Sequence, residues 1–374
     1  MGNILNELRN LYVALGGDST EAAKASHTSG ILNKISVFLG GEGGADRISE
    51  ALRNIVPVAP DPEAEETLNA LIDRSITEIN TKTTSINAFA FYNCGNLTTA
   101  SFPEATSIGD SAFFGCGNLA SVKFPNVKSL SPAAFKDCVS LTTVEFPNVT
   151  SMSGDERGGA FTGCTALTNV NFPELTTING GAFNGCTSLN TLNLPKLTTL
   201  AEYHGVNNAF RDCSSLTTAD FPKVKSIGAN AFWGCRNLTT TRFPEATNIG
   251  NGAFFGCFAL RSAEFPKVTS IGNGAFSGYG SNTVLTTLNF PKVTSISTSA
   301  FSACGALTTI VFGNSEVATL ANANAFSNTP IASGTGYVYV PDDLVDSYKA
   351  ASGWSTYASQ IKGISELPEE ETTS

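Results

Sequence analysis

Residues 226–244 read SIGANAFWGCRNLTTTRFP, and residues 248–266 read NIGNGAFFGCFALRSAEFP. The two stretches share I-G, A-F, G-C, L and F-P at matching positions, 22 residues apart. A pattern that returns in register marks a structural repeat, and a unit this short cannot bury its own apolar side chains. The same frame extends in both directions. Phe-Pro recurs at Phe102, Phe124, Phe146, Phe172, Phe221, Phe243, Phe265 and Phe290, with Leu194-Pro195 and Phe312-Gly313 filling the gaps. A leucine stands five residues before each, from Leu97 to Leu307, and an Ala-Phe pair precedes the leucine. The unit occurs about ten times between residues 76 and 341.

The segment L-T-T-v-x-F predicts a short strand with alternate apolar residues facing inward, ended by the proline. Coil must stack on coil to bury Ile, Phe, Leu and Val, each contributing roughly 1.5–3 kcal/mol. The expected fold is therefore an α/β repeat solenoid, leucine-rich-repeat-like, of about ten 22-residue coils. A small α-helical N-terminal region and a helical C-terminal cap complete it. The pattern FPxVTSIGxxAFxGCxxLTTVxFP closely resembles the BspA-type leucine-rich repeats of bacterial surface proteins, over about seven-tenths of the chain. That resemblance implies a cell-surface adhesin, a kind of protein that mostly carries a signal peptide and often a wall anchor. The start, MGNILNELRNLYVALGG, has no basic region followed by a continuous apolar core and does not read as a secretory signal.

Residues 1–57 have a different pattern. Ile4, Leu8, Leu11 and Leu15 make one amphipathic stripe, and Ile31, Leu32, Ile35, Phe38 and Leu39 a second. These residues are the candidate attachment and oligomer interface. Residues 58–75 read as a linker and an N-terminal cap helix, with Asp61 at the N-cap and Pro62 at the first helical position. Residues 342–374 read as a C-terminal cap helix and an acidic tail, with Trp354, Tyr357 and Ile361 covering the last coil. The LYVALGG segment and short helices resemble the N-termini of bacteriophage head-fibre or capsid-attached proteins. The resemblance implies a virion appendage assembled in the host cytoplasm and held to a capsid or tail protein as a homo-oligomer, for instance a trimer. Its solenoid would adhere to host-surface or mucosal glycans or proteins. The alternative is a bacterial cell-surface or secreted adhesin.

Only 14% of residues are charged and the net charge is −10, which argues against nucleic-acid or anionic-membrane partners. No apolar run is long enough to span a bilayer, so no membrane insertion is expected. The nine cysteines share one repeat position, from Cys94 and Cys116 to Cys257 and Cys304. Spacings of 22 or more without interleaved histidine do not make a metal site, and the expectation is a ladder of small buried side chains. His27 and His204 lie in different regions, no phosphate-cradling glycine loop follows a strand, and no carboxylate pair shares a cleft. The reading is non-enzymatic, without cofactor or metal.

Binding residues are sought at irregularities. Two coils carry extra residues in the same loop, SGDERGG (153–159) and AEYHGVNN (201–208). Glu156, Arg157, Tyr203, His204 and Asn207 are expected to line the space between these loops. The position after Ala-Phe holds Arg211, Trp233 and Phe255 in successive coils, a candidate platform for a sugar ring or protein loop. Paired threonines such as Thr239-Thr240 raise ice binding as an outside reading, against plain solvated ladders.

Overall fold

The computed structural model describes residues 76–80, 82–201, 208–278 and 284–368. The expected attachment helices, with Ile4, Leu8, Leu11, Leu15, Ile31, Ile35 and Phe38, lie outside the described residues, as does the expected N-terminal cap of residues 58–75. In two compact units, Met1–Pro173 and Glu174–Ser374, the described repeats are built from the same coil.

In residues 226–244 the coil runs strand, turn, strand. Ser226–Ile227 pairs in parallel with Asn248–Ile249, which pairs with Ser270–Ile271. Thr240–Arg242 lies between Thr218–Asp220 and Ser262–Glu264 in a second parallel row. Leu238, Thr241 and Phe243 are buried while Thr240 and Arg242 are exposed, the period-2 alternation of a half-buried strand. Pro244 has no N–H to donate and ends the strand. The first unit repeats this plan. Ser85–Ile86, Ser107–Ile108, Ser129–Leu130 and Ser151–Met152 form one row. Thr99–Ser101 pairs with Glu78–Asn80 and Ser121–Lys123, and Thr143–Glu145 with Asn169–Asn171, in the other.

The predicted strand is thus present, and a second one accompanies it. The two-residue T-S-I strand escapes sequence reading because two residues carry no period. The connection between the strands is a turn and not a helix. Each coil places residues in the left-handed region, such as Asn230 at φ 57° and Gly234 at φ 73°, and such residues interrupt a right-handed helix. Among the described residues, the α-helices are α1, Pro330–Ser333, and α2, Val345–Ala350, both in the C-terminal region.

Stacked aromatic rings fill the interior. Phe91, Phe113, Phe135 and Phe161 stack with centroids 4.9, 5.1 and 5.3 Å apart and planes within 9°. In the second unit Phe210, Phe232, Phe254 and Phe276 stack at 5.3–5.4 Å. These spacings follow the separation of parallel strands, about 4.8 Å, so each ring rests on its equivalent in the next coil. Threonine hydroxyls link the coils outside. Thr239 Oγ1 donates to the Thr217 carbonyl at 2.9 Å, and Thr269 Oγ1 to Thr247 at 3.1 Å. These ladders therefore hold coil to coil, beyond simple solvation.

One inward position breaks the apolar rule. Thr241 is 3% exposed between Ala219 and Ala263, and its hydroxyl has no partner among the described residues. An unpaired buried hydroxyl costs about 1–3 kcal/mol. Thr241→Val keeps the shape and removes that group, so it is expected to raise the urea midpoint by an amount worth about 1 kcal/mol. An unchanged midpoint would mean the hydroxyl is satisfied in solution.

At the C-terminal end the sheet continues past residue 341. Thr309–Phe312 pairs with Tyr337–Val340, which pairs with Ile361–Gly363. Trp354 is fully buried against Phe312 and Phe326, and its Nε1 donates to the Ala318 carbonyl at 2.7 Å. The Tyr348 hydroxyl accepts the Ala318 N–H at 3.0 Å, and the Tyr357 hydroxyl donates to the Ala323 carbonyl. Apolar surface that a further coil would cover is covered by these rings.

Candidate functional site

The cysteine column lies inside. All nine cysteines are buried, and none is in a disulfide. In coil after coil the thiol donates to a phenylalanine carbonyl of the preceding coil: Cys116 to Phe91 at 3.0 Å, Cys235 to Phe210 at 3.0 Å, Cys304 to Phe276 at 3.0 Å. Burial pushes the Cys304 thiol up to about 12, and burial and neighbouring thiols hold Cys116, Cys138, Cys213 and Cys235 well above the ordinary thiol range. An un-ionised buried thiol is a poor nucleophile, so this column is structural. Among the described residues no group of three or more metal-ligating side chains converges. Thiol titration after denaturation without reductant is expected to find nine groups, against almost none in the native protein; seven or fewer would contradict a ladder without disulfides.

The loop of residues 153–159 forms a small antiparallel hairpin, Gly154–Asp155 against Gly158–Gly159. Glu156 sits exposed at its tip. Arg157 is engaged by the protein itself: its Nε donates to Asp155 at 2.9 Å, its Nη2 to Asp110 at 2.8 Å, and its guanidinium lies 6.0 Å from the Phe89 ring. Lys136 Nζ donates to the Arg157 carbonyl at 2.8 Å. The arginine clamps the hairpin across neighbouring coils. Its intended neighbours Tyr203, His204 and Asn207 lie outside the described residues.

Arg211, Trp233 and Phe255 do come together. The Trp233 and Phe255 rings stack at 3.9 Å and 19°, and the Arg211 guanidinium lies 5.2 Å from the Trp233 ring. All three are half-buried. The faces of Trp233 are therefore occupied by Arg211 and Phe255, and the ladder offers ring edges to solvent. Gly252 makes room for it: at φ 59°, a Cβ there would stand 2.9 Å from Trp233 Cε3. Sequence reasoning missed a second ladder of this kind. Tyr92 and Phe114 stack at 4.7 Å and 6°, with Lys136 Nζ 5.3 Å from the Phe114 ring. The signal was present, because all three follow Ala-Phe in successive coils.

A shallow groove of about 310 Å³ opens in the second unit, lined by Asn248, Gly250, Asn251, Ser270, Gly272 and Ser297 with Ala229, Ile249 and Ile271. Its floor is main chain. A Cβ on Gly250 would stand 2.6 Å from the Ala229 nitrogen and one on Gly272 2.6 Å from the Asn251 nitrogen, so close stacking of coils requires glycine at both. Ser270 Oγ donates to Asn248 Oδ1 at 2.7 Å, and Asn251 Oδ1 accepts the Asn273 N–H at 2.8 Å.

The family model for the BspA type leucine rich repeat region matches residues 84–204 and 205–333. The chain belongs to the BspA-type leucine-rich repeat family. Its match takes in the strands from Ser85–Ile86 to Thr319–Leu320, the cysteine column and both aromatic ladders, and leaves residues 1–83 and 334–374 uncovered. This BspA-type chain is similar to a leucine-rich repeat protein from Bacteroides ovatus, at 22% identity over 78% of this chain and 85% of that one, with TM-score 0.49. It is similar to a leucine rich cell surface protein from Faecalibacterium prausnitzii, at 24% identity over 71% and 82%, TM-score 0.39. A T. pallidum leucine rich repeat protein is 28% identical over 48% and 72%, TM-score 0.34. No curated protein sequence matches the chain. No helix among the described residues is long and apolar enough to cross a membrane.

Proposed function

We propose that this BspA-type chain is a non-enzymatic adhesion protein of the bacterial surface, engaging host-surface or mucosal glycans or proteins through outward side chains of its coils. The observation that carries this reading is the division between inside and outside. Inward columns repeat Ile, Ala, Phe, Cys, Leu and Phe, while the position after Ala-Phe runs Tyr92, Phe114, Lys136, Thr162, Asn184, Arg211, Trp233, Phe255. A constant core under a varied surface suits a scaffold that displays chosen side chains. Antibody labelling of intact producing cells and an adherence assay on a strain lacking the gene test it. Surface label and lost adherence are expected; label only after lysis, with adherence unchanged, would count against it.

The amphipathic spacing of Ile4, Leu8, Leu11 and Leu15 supports a second reading, a virion appendage held to a capsid or tail protein as a homo-oligomer. There, a chain lacking residues 1–57 fails to enter particles. Incorporation of the truncated chain ends that reading.

A further inference from the structure

We propose that the groove of the second unit is a binding site for neutral carbohydrate. This deepens the adhesion reading and rests on it. None of the nine lining residues is charged, so recognition there does not run through ion pairs, and an anionic or cationic ligand gains nothing from the site. What the groove offers is carboxamides and hydroxyls over a glycine floor: Asn248, Asn251, Ser270, Ser297, Gly250 and Gly272. Amide and hydroxyl groups both donate and accept, which matches the hydroxyls of a sugar. The Asn251 carboxamide is exposed, with its Oδ1 taken by the Asn273 N–H and its Nδ2 directed at no partner among the described residues. Asn248 and Ser270 are hydrogen-bonded to each other, which fixes their orientation before any ligand arrives.

The aromatic ladder stands next to the groove without lining it. Asn251 is followed by Gly252, on which the Trp233 ring rests. Both faces of Trp233 are taken by Arg211 and Phe255, so recognition in the groove rests on its placed polar groups. The depression occurs where three successive coils carry glycine after isoleucine, at Gly228, Gly250 and Gly272. The coils on either side carry Ala201 and Ser297 there. A peptide could also meet amides and hydroxyls, but a groove with uncharged walls and two carboxamides favours the polyhydroxylated ligand.

The test is an array of neutral oligosaccharides alongside their sialylated and sulfated counterparts, probed with the full chain and with an Asn251→Ala/Ser297→Ala variant whose thermal midpoint matches the parent. The expected result is binding of neutral oligosaccharides, weakened at least tenfold in the variant. No neutral oligosaccharide bound, preference for the acidic ones, or unchanged binding by the variant overturns the assignment, as does a peptide ligand competed from the groove. Adherence separates this proposal from the one beneath it. Full adherence by the variant refutes the groove and leaves adhesion standing, whereas oligosaccharide binding by a parent protein that adheres to nothing supports the groove and removes the adhesion reading.

Discussion

Raising the pH above about 9 is expected to unfold the protein in one steep step, because the interior holds a column of thiols that only the unfolded chain can ionise. Burial raises the thiols of Cys116, Cys138, Cys213, Cys235, Cys257 and Cys304 in the fold, Cys304 to about 12. The sign follows from proton counting. Below about pH 8.5 both states keep the thiol protons and stability does not change with pH. Above it the unfolded chain releases protons that the fold retains, so the stability is lost as pH rises toward the folded values. Each such thiol contributes about 1.4 kcal/mol per pH unit, and six together roughly 8 kcal/mol per unit. Against a domain stability of about 5–15 kcal/mol, one to two pH units suffice. Circular dichroism and thiolate absorbance, followed together, are expected to change in the same step. Thiolate absorbance growing in at pH 8.5–9 while the dichroism stays native would contradict the buried ladder.

Trp354→Ala is expected to cost about 3–5 kcal/mol, the usual range for deleting a large buried aromatic side chain. The residue is fully buried, stands 5.2 Å from the Tyr348 ring and 5.8 Å from Phe312, and satisfies the Ala318 carbonyl through its Nε1. Removing it leaves a cavity and an unpaired carbonyl over the last Phe rings of the stack. In a solenoid stability is a sum over neighbours, so loss at an end spreads inward coil by coil. The urea midpoint should fall, and amide exchange should speed up first in the strands Thr309–Phe312 and Tyr337–Val340. A change below about half a kcal/mol would mean that these residues do not close the stack.

Much of this architecture was legible in the sequence, for a physical reason. Stacking equivalent residues on one another forces the pattern to repeat, so Phe-Pro at 22-residue spacing is both a text motif and a ring ladder. The cysteine column was legible for the same reason, as nine residues at one position in a repeat must share one environment. The T-S-I strands were not, since a two-residue strand shows no alternation. Asp110 and Asp155 hold Arg157, and Asp110 lies 47 residues away in the chain, a separation no local pattern reports. The Arg211–Trp233–Phe255 cluster was found because it sat beside irregular loops, and Tyr92–Phe114–Lys136 was passed over in regular coils. The groove was illegible because glycine and asparagine in a turn look like turn chemistry; only stacked coils turn them into a surface.

The adhesion account is tested most directly by retention of beads coated with the full chain on mucin-coated and epithelial-cell surfaces, with soluble full chain as competitor. The account predicts saturable retention that the soluble chain abolishes. Retention no greater than that of albumin-coated beads, or retention that the soluble chain does not reduce, would contradict it.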